Sequence, residues 1–259
     1  MKVILDPRKS ILENTVVYRE EAKKYRLKAA GAEKAIGETM RAIEGQQQVT
    51  VVKTKRKNQW FDKLHHFTTS NGVLVVGGKS AKQNDVVFAK HLLPNEYFLH
   101  ADIRGSPAVV IKSPNPSPSD FQEAAEFTAS YSSAWKRNFG SIDVYGVKGE
   151  NVRKHFQGGY LDQGAFSIIG ERQWFKNTLL GLYICLDSNT LAFCVKSISA
   201  KPSGLWVKLT PGKMDRQRVS KTIKAYFAKK LFEAGKKVKL DEEEIDKLLP
   251  GDCEVSNGV

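Results

Sequence analysis

The sequence predicts an α+β fold: a mixed, largely antiparallel β-sheet domain with flanking helices, preceded by a long N-terminal helix of coiled-coil type. Three observations predict it. Apolar residues recur at steps of three and four over the first 45 positions, which is helical spacing. From about residue 59 the pattern changes to short β-branched and aromatic runs bounded by turn residues. A few capped amphipathic segments are interspersed among those runs, and many strands with a few helices make an α+β domain.

The elements follow in order. Asp6 and Pro7 offer a cap and a proline for the first helical position. Ile11, Asn14, Tyr18, Ala22, Tyr25, Ala29, Ala32, Ile36, Met40 and Ile43 then form a heptad-like stripe among Lys, Arg and Glu. An isolated helix with such a seam is marginal in water, so Ile11, Tyr18, Tyr25, Ile36 and Met40 are expected to meet the body of the protein, a second copy or another chain. The arm is assigned to residues 1–45, with Gly31 and Gly37 weakening its far half. Residues 46–58 read as a polar hinge ending in Lys53, Lys55, Arg56 and Lys57. "LHHFTT" and "VLVV" make a hairpin around Ser70-Asn71-Gly72. Ser80 caps a helix that Leu92-Leu93-Pro94 stops. "EYFLHA" and "PAVVIK" are strands around Asp102 to Ser106. "SPNPSPS" is a loop, and Ser119 with Gln122 is a capping box. The helix it opens turns Phe121, Ala124, Ala125, Thr128, Tyr131 and Trp135 inward. Strands follow at "SIDVYGV", "GAFSIIG", "LGLYICL", "LAFCVKSI" and "LWVKLT". A basic helix from Asp215 buries Val219, Ile223, Phe227 and Leu231. A short acidic helix near "DEEEIDKLL" precedes Gly251, and residues 252–259 are read as a tail.

Lysine and arginine outnumber aspartate and glutamate 41 to 28, a formal charge of +13. Polyanions are therefore the expected partners, nucleic acid first and acidic lipid second. No apolar run approaches the roughly 18 residues of a membrane span, and the N-terminus is too short and charged for a signal peptide. Cys185, Cys194 and Cys253 lack Cys-x-x-Cys spacing, which suits reduced thiols and a cytoplasmic location. "VLVVGGKS" ends like a phosphate-binding loop, but position 73 is valine where that loop needs glycine, and the intervening residues read as strand. Catalysis has little support. His100 and Asp102 have no nucleophile close in sequence, His65 and His66 point to opposite faces of a strand, and His91 and His155 have no partners at metal-ligand spacing. A non-enzymatic protein without a cofactor is expected.

"NQWFDKLHHFTTSNGVLVVGGKSAKQND", "YFLHADIRGSPAVVIK", "GGYLDQGAFSIIGERQWF" and "KLLPG" resemble, in order and spacing, the NFACT-R domain of the NFACT family of ribosome quality-control factors. "LDPRKSILENTVVYREEAKK" is similar to the second arm of that family's coiled coil. The resemblance runs from about Leu5 to Gly251, with residues 59–251 as the RNA-binding domain. The nuclease-like and helix-hairpin-helix regions of full-length members have no counterpart before the coil. Arg104 stands where relatives more often show histidine or proline, and Gly146 and Gly149 replace a common tryptophan and proline. The resemblance implies binding of tRNA or rRNA at the large ribosomal subunit. It also implies a separate N-terminal half, or self-association, meeting the coil.

The residues suggest how RNA would be held. Lys53, Lys55, Arg56 and Lys57 abut Trp60 and Phe61, rings able to stack on unpaired bases or pack in the core. In "HADIRGSP", Gly105 permits a tight turn, and the N–H groups of Gly105 and Ser106 with the Ser106 hydroxyl form an anion-accepting nest. Arg104 adds a bidentate phosphate contact. Asp102 is expected to hold His100 or Arg104, or to cap the turn. Two functions follow: an RNA-binding module in ribosome-associated quality control, or an adaptor whose N-terminal helix docks a separate coil, with RNA binding secondary.

Overall fold

The computed structural model describes residues 4–46, 59–156, 159–187, 191–200, 202–236 and 238–257, so the basic run at Lys53, Lys55, Arg56 and Lys57 lies outside the described residues. The chain divides into an N-terminal helical unit and a β-rich body.

In the first unit, α1 spans Ile11–Gln46. Its start is set one turn later than Asp6-Pro7 suggests. The Ser10 hydroxyl accepts the Glu13 N–H, and the Glu13 carboxylate accepts the Ser10 N–H at 2.7 Å, a reciprocal cap. Asp6 belongs instead to a preceding turn clamped by Asn14, which accepts from the Asp6 N–H at 2.9 Å and donates to the Asp6 and Lys9 carbonyls. Asn14 is thus buried by its own N-terminal turn, while Ile11, Tyr25 and Ile36 of the seam are 82%, 65% and 62% exposed.

The body opens with the hairpin β1 (His65–Thr68) and β2 (Leu74–Gly77). Gly72 takes φ +82° at its turn, a conformation open to glycine. Ser80 caps α2 (Ala81–Val86), which runs on as one π-turn, Val87–His91, before Pro94. After β3 (Tyr97–Ala101) and β4 (Val109–Ile111) comes α3 (Pro118–Ser130). Its cap is Ser117 with Asp120, two residues earlier than the Ser119–Gln122 pair, because Pro118 takes the first helical position. The helix breaks at Tyr131, and Trp135 reaches the core from a separate turn, α4 (Ser133–Lys136). Then follow β5 (Ser141–Lys148), four two-residue strands β6 (Val152–Arg153), β7 (His155–Phe156), β8 (Gly159–Tyr160) and β9 (Ser167–Ile168), and the longer strands β10 (Gln173–Leu179), β11 (Leu182–Leu186), β12 (Phe193–Ser197) and β13 (Leu205–Met214). The chain closes with α5 (Arg216–Glu233), α6 (Glu242–Asp246) and β14 (Cys253–Asn257). Residues 253–257, expected as a tail, instead pair antiparallel with β13.

Two sheets carry the body, in the orders β1-β2-β4-β3-β5-β10 and β12-β11-β13-β14. All pairings among the described strands are antiparallel. Helix α3 packs on the larger sheet and reaches β11 and β12 of the smaller. Phe98, Leu99, Val110, Phe127 and Trp135 are buried in this body. Alanines on α3 allow close approach, phenylalanines fill the core beside them, and its buried carboxylates act as ties. Glu123 accepts from the Ser70 N–H at the first hairpin, and Glu126 from the Ser199 N–H and hydroxyl beyond β12.

Candidate nucleic-acid interface

The turn between β3 and β4 is built around Ser106. Its hydroxyl accepts the Ala101 N–H at 2.8 Å and donates to the Pro107 carbonyl at 3.1 Å, and the residue is buried. A hydroxyl has one proton, so Ser106 holds the turn and has none left for an anion, contrary to the role expected of it. Gly105 sits at φ +88°, and a Cβ there would stand 3.1 Å from that of Ser133. Ser133 donates its N–H to Gly105 O and its hydroxyl to Arg104 O, so α4 fixes the turn from behind. Asn84 of α2 fixes it from the other side, accepting from the Ala108 N–H and donating to the Ser106 carbonyl.

These supports border a cleft of about 810 Å³, lined among others by His65, Lys79, His100, Arg104, Tyr131 and Tyr145. His65, Lys79, Gly105 and Tyr131 also line a second depression with Lys136, Arg216 and Lys247, so the two are continuous. Lys79 stands where they join. Burial, with Lys247 and Arg216 nearby, lowers its pKa, and it has no ion pair among the described residues. Arg216 binds Asp246 through one terminal nitrogen at 3.1 Å, while its Nε is buried without a partner among the described residues. Lys247 pairs only loosely with Glu243, at 3.8 Å. A partly desolvated ammonium crowded by like charge is stabilised by an arriving anion.

The histidines here are neutral. Burial pushes His65 down to about 3, with Lys79 adding to the effect, and its ring stacks on Tyr131 at 3.9 Å. Burial likewise pushes His100 down to about 4 against the opposing charge of Asp102. Asp102 is exposed. It influences His100 through charge, and its backbone N–H joins β5 at Asp143 O.

Trp60 and Phe61 take different roles. Phe61 packs on Leu64, Val76, Val87 and Val110. Trp60 remains 46% exposed, stacked on His91 at 4.1 Å. Neither lines the cleft. The structure therefore brings together His100, Arg104, Gly105 and Ser106 of the expected residues, and adds Lys79, Lys136, Tyr145, Arg216 and Lys247. The signal for Lys79 was the Gly-Gly-Lys-Ser run. Gly78 is required there because a Cβ would lie 2.2 Å from Asn84 Oδ1 and 2.7 Å from its backbone N, so the glycine serves strand-to-helix packing and not a phosphate loop. Among the described residues no group of His, Cys, Asp or Glu is arranged to hold a metal, and no helix is long and apolar enough to cross a membrane.

A family model described as the NFACT protein RNA binding domain matches residues 63–170. Over 216 residues the chain is 35% identical to the archaeal Rqc2 homolog aRqcH of Methanocaldococcus jannaschii, a match covering 78% of this chain and 30% of that protein. It is 31% identical over 170 residues to ribosome quality control complex subunit NEMF of Homo sapiens, covering 62% of this chain and 16% of that one. With ribosome quality control complex subunit 2 of Schizosaccharomyces pombe the identity is 31% over 163 residues, covering 59% and 16%. The matched region thus spans less than a third of each relative. Lys79 and Arg104 fall inside the span that matches the family model, and the chain carries an NFACT-R RNA-binding domain homologous, over part of their length, to the Rqc2 and NEMF ribosome quality control factors.

Proposed function

We propose that the domain grips tRNA or large-subunit rRNA through the cleft around Lys79 and Arg104, and that it serves the rescue of large ribosomal subunits carrying stalled nascent chains. The observation that carries this reading is Lys79: an exposed cation whose pKa is lowered by partial desolvation and by Lys247 and Arg216 nearby, without a counter-charge among the described residues, at the junction of the two depressions. Phosphate is the ligand that such a site stabilises most, and the Arg104 guanidinium on the same cleft supplies a planar fork for it. The Lys53 to Lys57 run adds sequence-independent attraction. The role is binding rather than catalysis, since burial makes His65 and His100 weak proton acceptors and, among the described residues, no activated nucleophile accompanies them.

The test separates a site from a field. Lys79→Gln/Arg104→Ala removes two cationic side chains from the cleft. Lys229→Gln/Lys230→Gln removes two from the same body, 13 and 14 residues beyond Arg216 on α5, roughly 20 Å along the helix and about two and a half Debye lengths at physiological salt. Fluorescence anisotropy of labelled tRNA over a salt series is expected to show about tenfold weaker binding for the first pair at 0.15 M. The salt slope should fall by roughly 0.7–0.9 for each phosphate that the variant no longer neutralises. The second pair should change affinity less than about twofold. Equal effects of the two pairs would mean that net charge alone binds RNA.

A second reading, an adaptor that docks another chain through α1, is favoured by the exposure of Ile11, Tyr25 and Ile36. A separate N-terminal half or a second copy would supply the facing helix.

A further inference from the structure

Beside the cleft, three rings form a row across the larger sheet. His100 of β3 lies directly opposite Tyr145 of β5, and Tyr145 directly opposite Trp174 of β10. Side chains at such positions share a face. The ring centroids are 5.8 Å apart for His100 and Tyr145, and 5.5 Å for Tyr145 and Trp174. The alternate residues are used on the other face, where Phe175 stacks with Phe121 of α3. The row therefore starts at the cleft, which His100 and Tyr145 line, and ends on the edge strand, where Trp174 is 38% exposed.

Two cations accompany it. The Arg172 guanidinium lies 4.6 Å from the Tyr145 ring centre and 6.0 Å from that of Trp174, and it has no ion pair among the described residues. The Lys176 ammonium lies 4.2 Å from the Trp174 ring centre. A bulge sets Lys176 there: the register shifts between Phe175 and Thr178, and Asn177 takes φ +51° with its N–H on Asp143 Oδ1. The same carboxylate binds the Lys176 ammonium at 2.7 Å. Bulges at sheet edges re-aim side chains in this way.

We infer that Trp174, backed by the buried Tyr145 and by His100 and flanked by Arg172 and Lys176, forms a stacking platform for an unpaired nucleotide of the RNA whose phosphates occupy the adjoining cleft. The inference rests on the RNA reading of that cleft and adds a substrate class to it, RNA with splayed-out bases. An exposed ring beside an unpaired guanidinium matches the two halves of a nucleotide, face and phosphate. A base in a duplex is stacked on both faces by its neighbours and has none to give, so the platform selects single strands, loops or ends. Continuity through Tyr145 lets one strand lay its backbone in the cleft and a base on the sheet.

The experiment compares a short single-stranded oligoribonucleotide with a duplex of equal phosphate number, binding to wild type, Trp174→Ala, Trp174→Phe and Lys79→Gln. Trp174→Ala is expected to weaken single-strand binding about tenfold, the size of a base–aromatic stack, and to change duplex binding less than about twofold. Trp174→Phe should recover most of the loss, and Lys79→Gln should weaken both RNAs. If Trp174→Ala leaves the single strand unchanged, or weakens both RNAs alike, while Lys79→Gln still acts, the platform is overturned and the cleft stands. If wild type binds neither RNA, the cleft reading falls and the platform with it.

Discussion

His65 and His100 are both held neutral by burial, and this makes the cleft a source of acid sensitivity. Their folded-state pKa values, about 3 and about 4, lie below the ordinary 6.5. Between those limits the unfolded chain binds more protons than the folded one, so stability rises with pH across that window. The contribution is complete above about pH 7 and is lost as pH falls through 6.5 toward 4. Each unit of difference is worth about 1.4 kcal/mol, so each histidine withdraws on the order of 2–3 kcal/mol by pH 4.5. His65→Phe keeps a ring on Tyr131 and removes the proton site. Its thermal midpoint should fall less steeply than that of wild type between pH 7 and pH 4.5, and parallel curves would show that His65 is not buried as described.

At the scale of elements, the interface depends on α2 being clipped to the β3–β4 turn, and Asn84 is the clip. Asn84→Ala leaves the Ala108 N–H and the Ser106 carbonyl without their partner, at about 1–3 kcal/mol each. Denaturant titration should show a loss of about 2–4 kcal/mol. RNA affinity of the folded variant should drop with it, because Lys79 and Arg104 lose their common frame. A destabilised variant with unchanged affinity would deny Asn84 that positioning role. Much of this layout was legible in sequence: β1 to β5 are short β-branched and aromatic runs, Asn71-Gly72 marks the first hairpin turn, and Ser80 and Asp215 mark the caps of α2 and α5. β10 was missed because Gln173, Trp174, Lys176 and Asn177 are all exposed, leaving no buried alternation to read. β14 was missed because its alternation offers only two apolar residues, Cys253 and Val255, and it becomes a strand only through the free edge of β13. The site was half legible for a related reason. Arg104 and Gly105 announce a turn locally, whereas Arg216 and Lys247 come to Lys79 through folding across more than a hundred residues, and pairings of that range leave no mark in local spacing.

At the scale of the whole molecule, the adaptor reading depends on what α1 does with its seam. Thirty-six residues of helix extend roughly 54 Å at 1.5 Å per residue. Ile11, Leu12, Tyr25, Leu27 and Ile36 are all more than 60% exposed along it. A helix that leaves such residues in water gains little from burial and must depend on propensity, which Gly31 and Gly37 reduce. Pairing the seam with a second helix supplies the missing burial, at about 25 cal/mol per Å² of apolar surface removed from water. Light scattering over a concentration series, on the full chain and on a chain lacking residues 1–45, should show mass rising with concentration only when the helix is present. Helical circular dichroism of the full chain should rise in step, since pairing and helix formation are then one process. A full chain that stays monomeric at every concentration would exclude self-pairing. Helicity that is already complete in that monomer would remove the energetic need for any facing helix, leaving the proposed RNA cleft as the domain's principal contact.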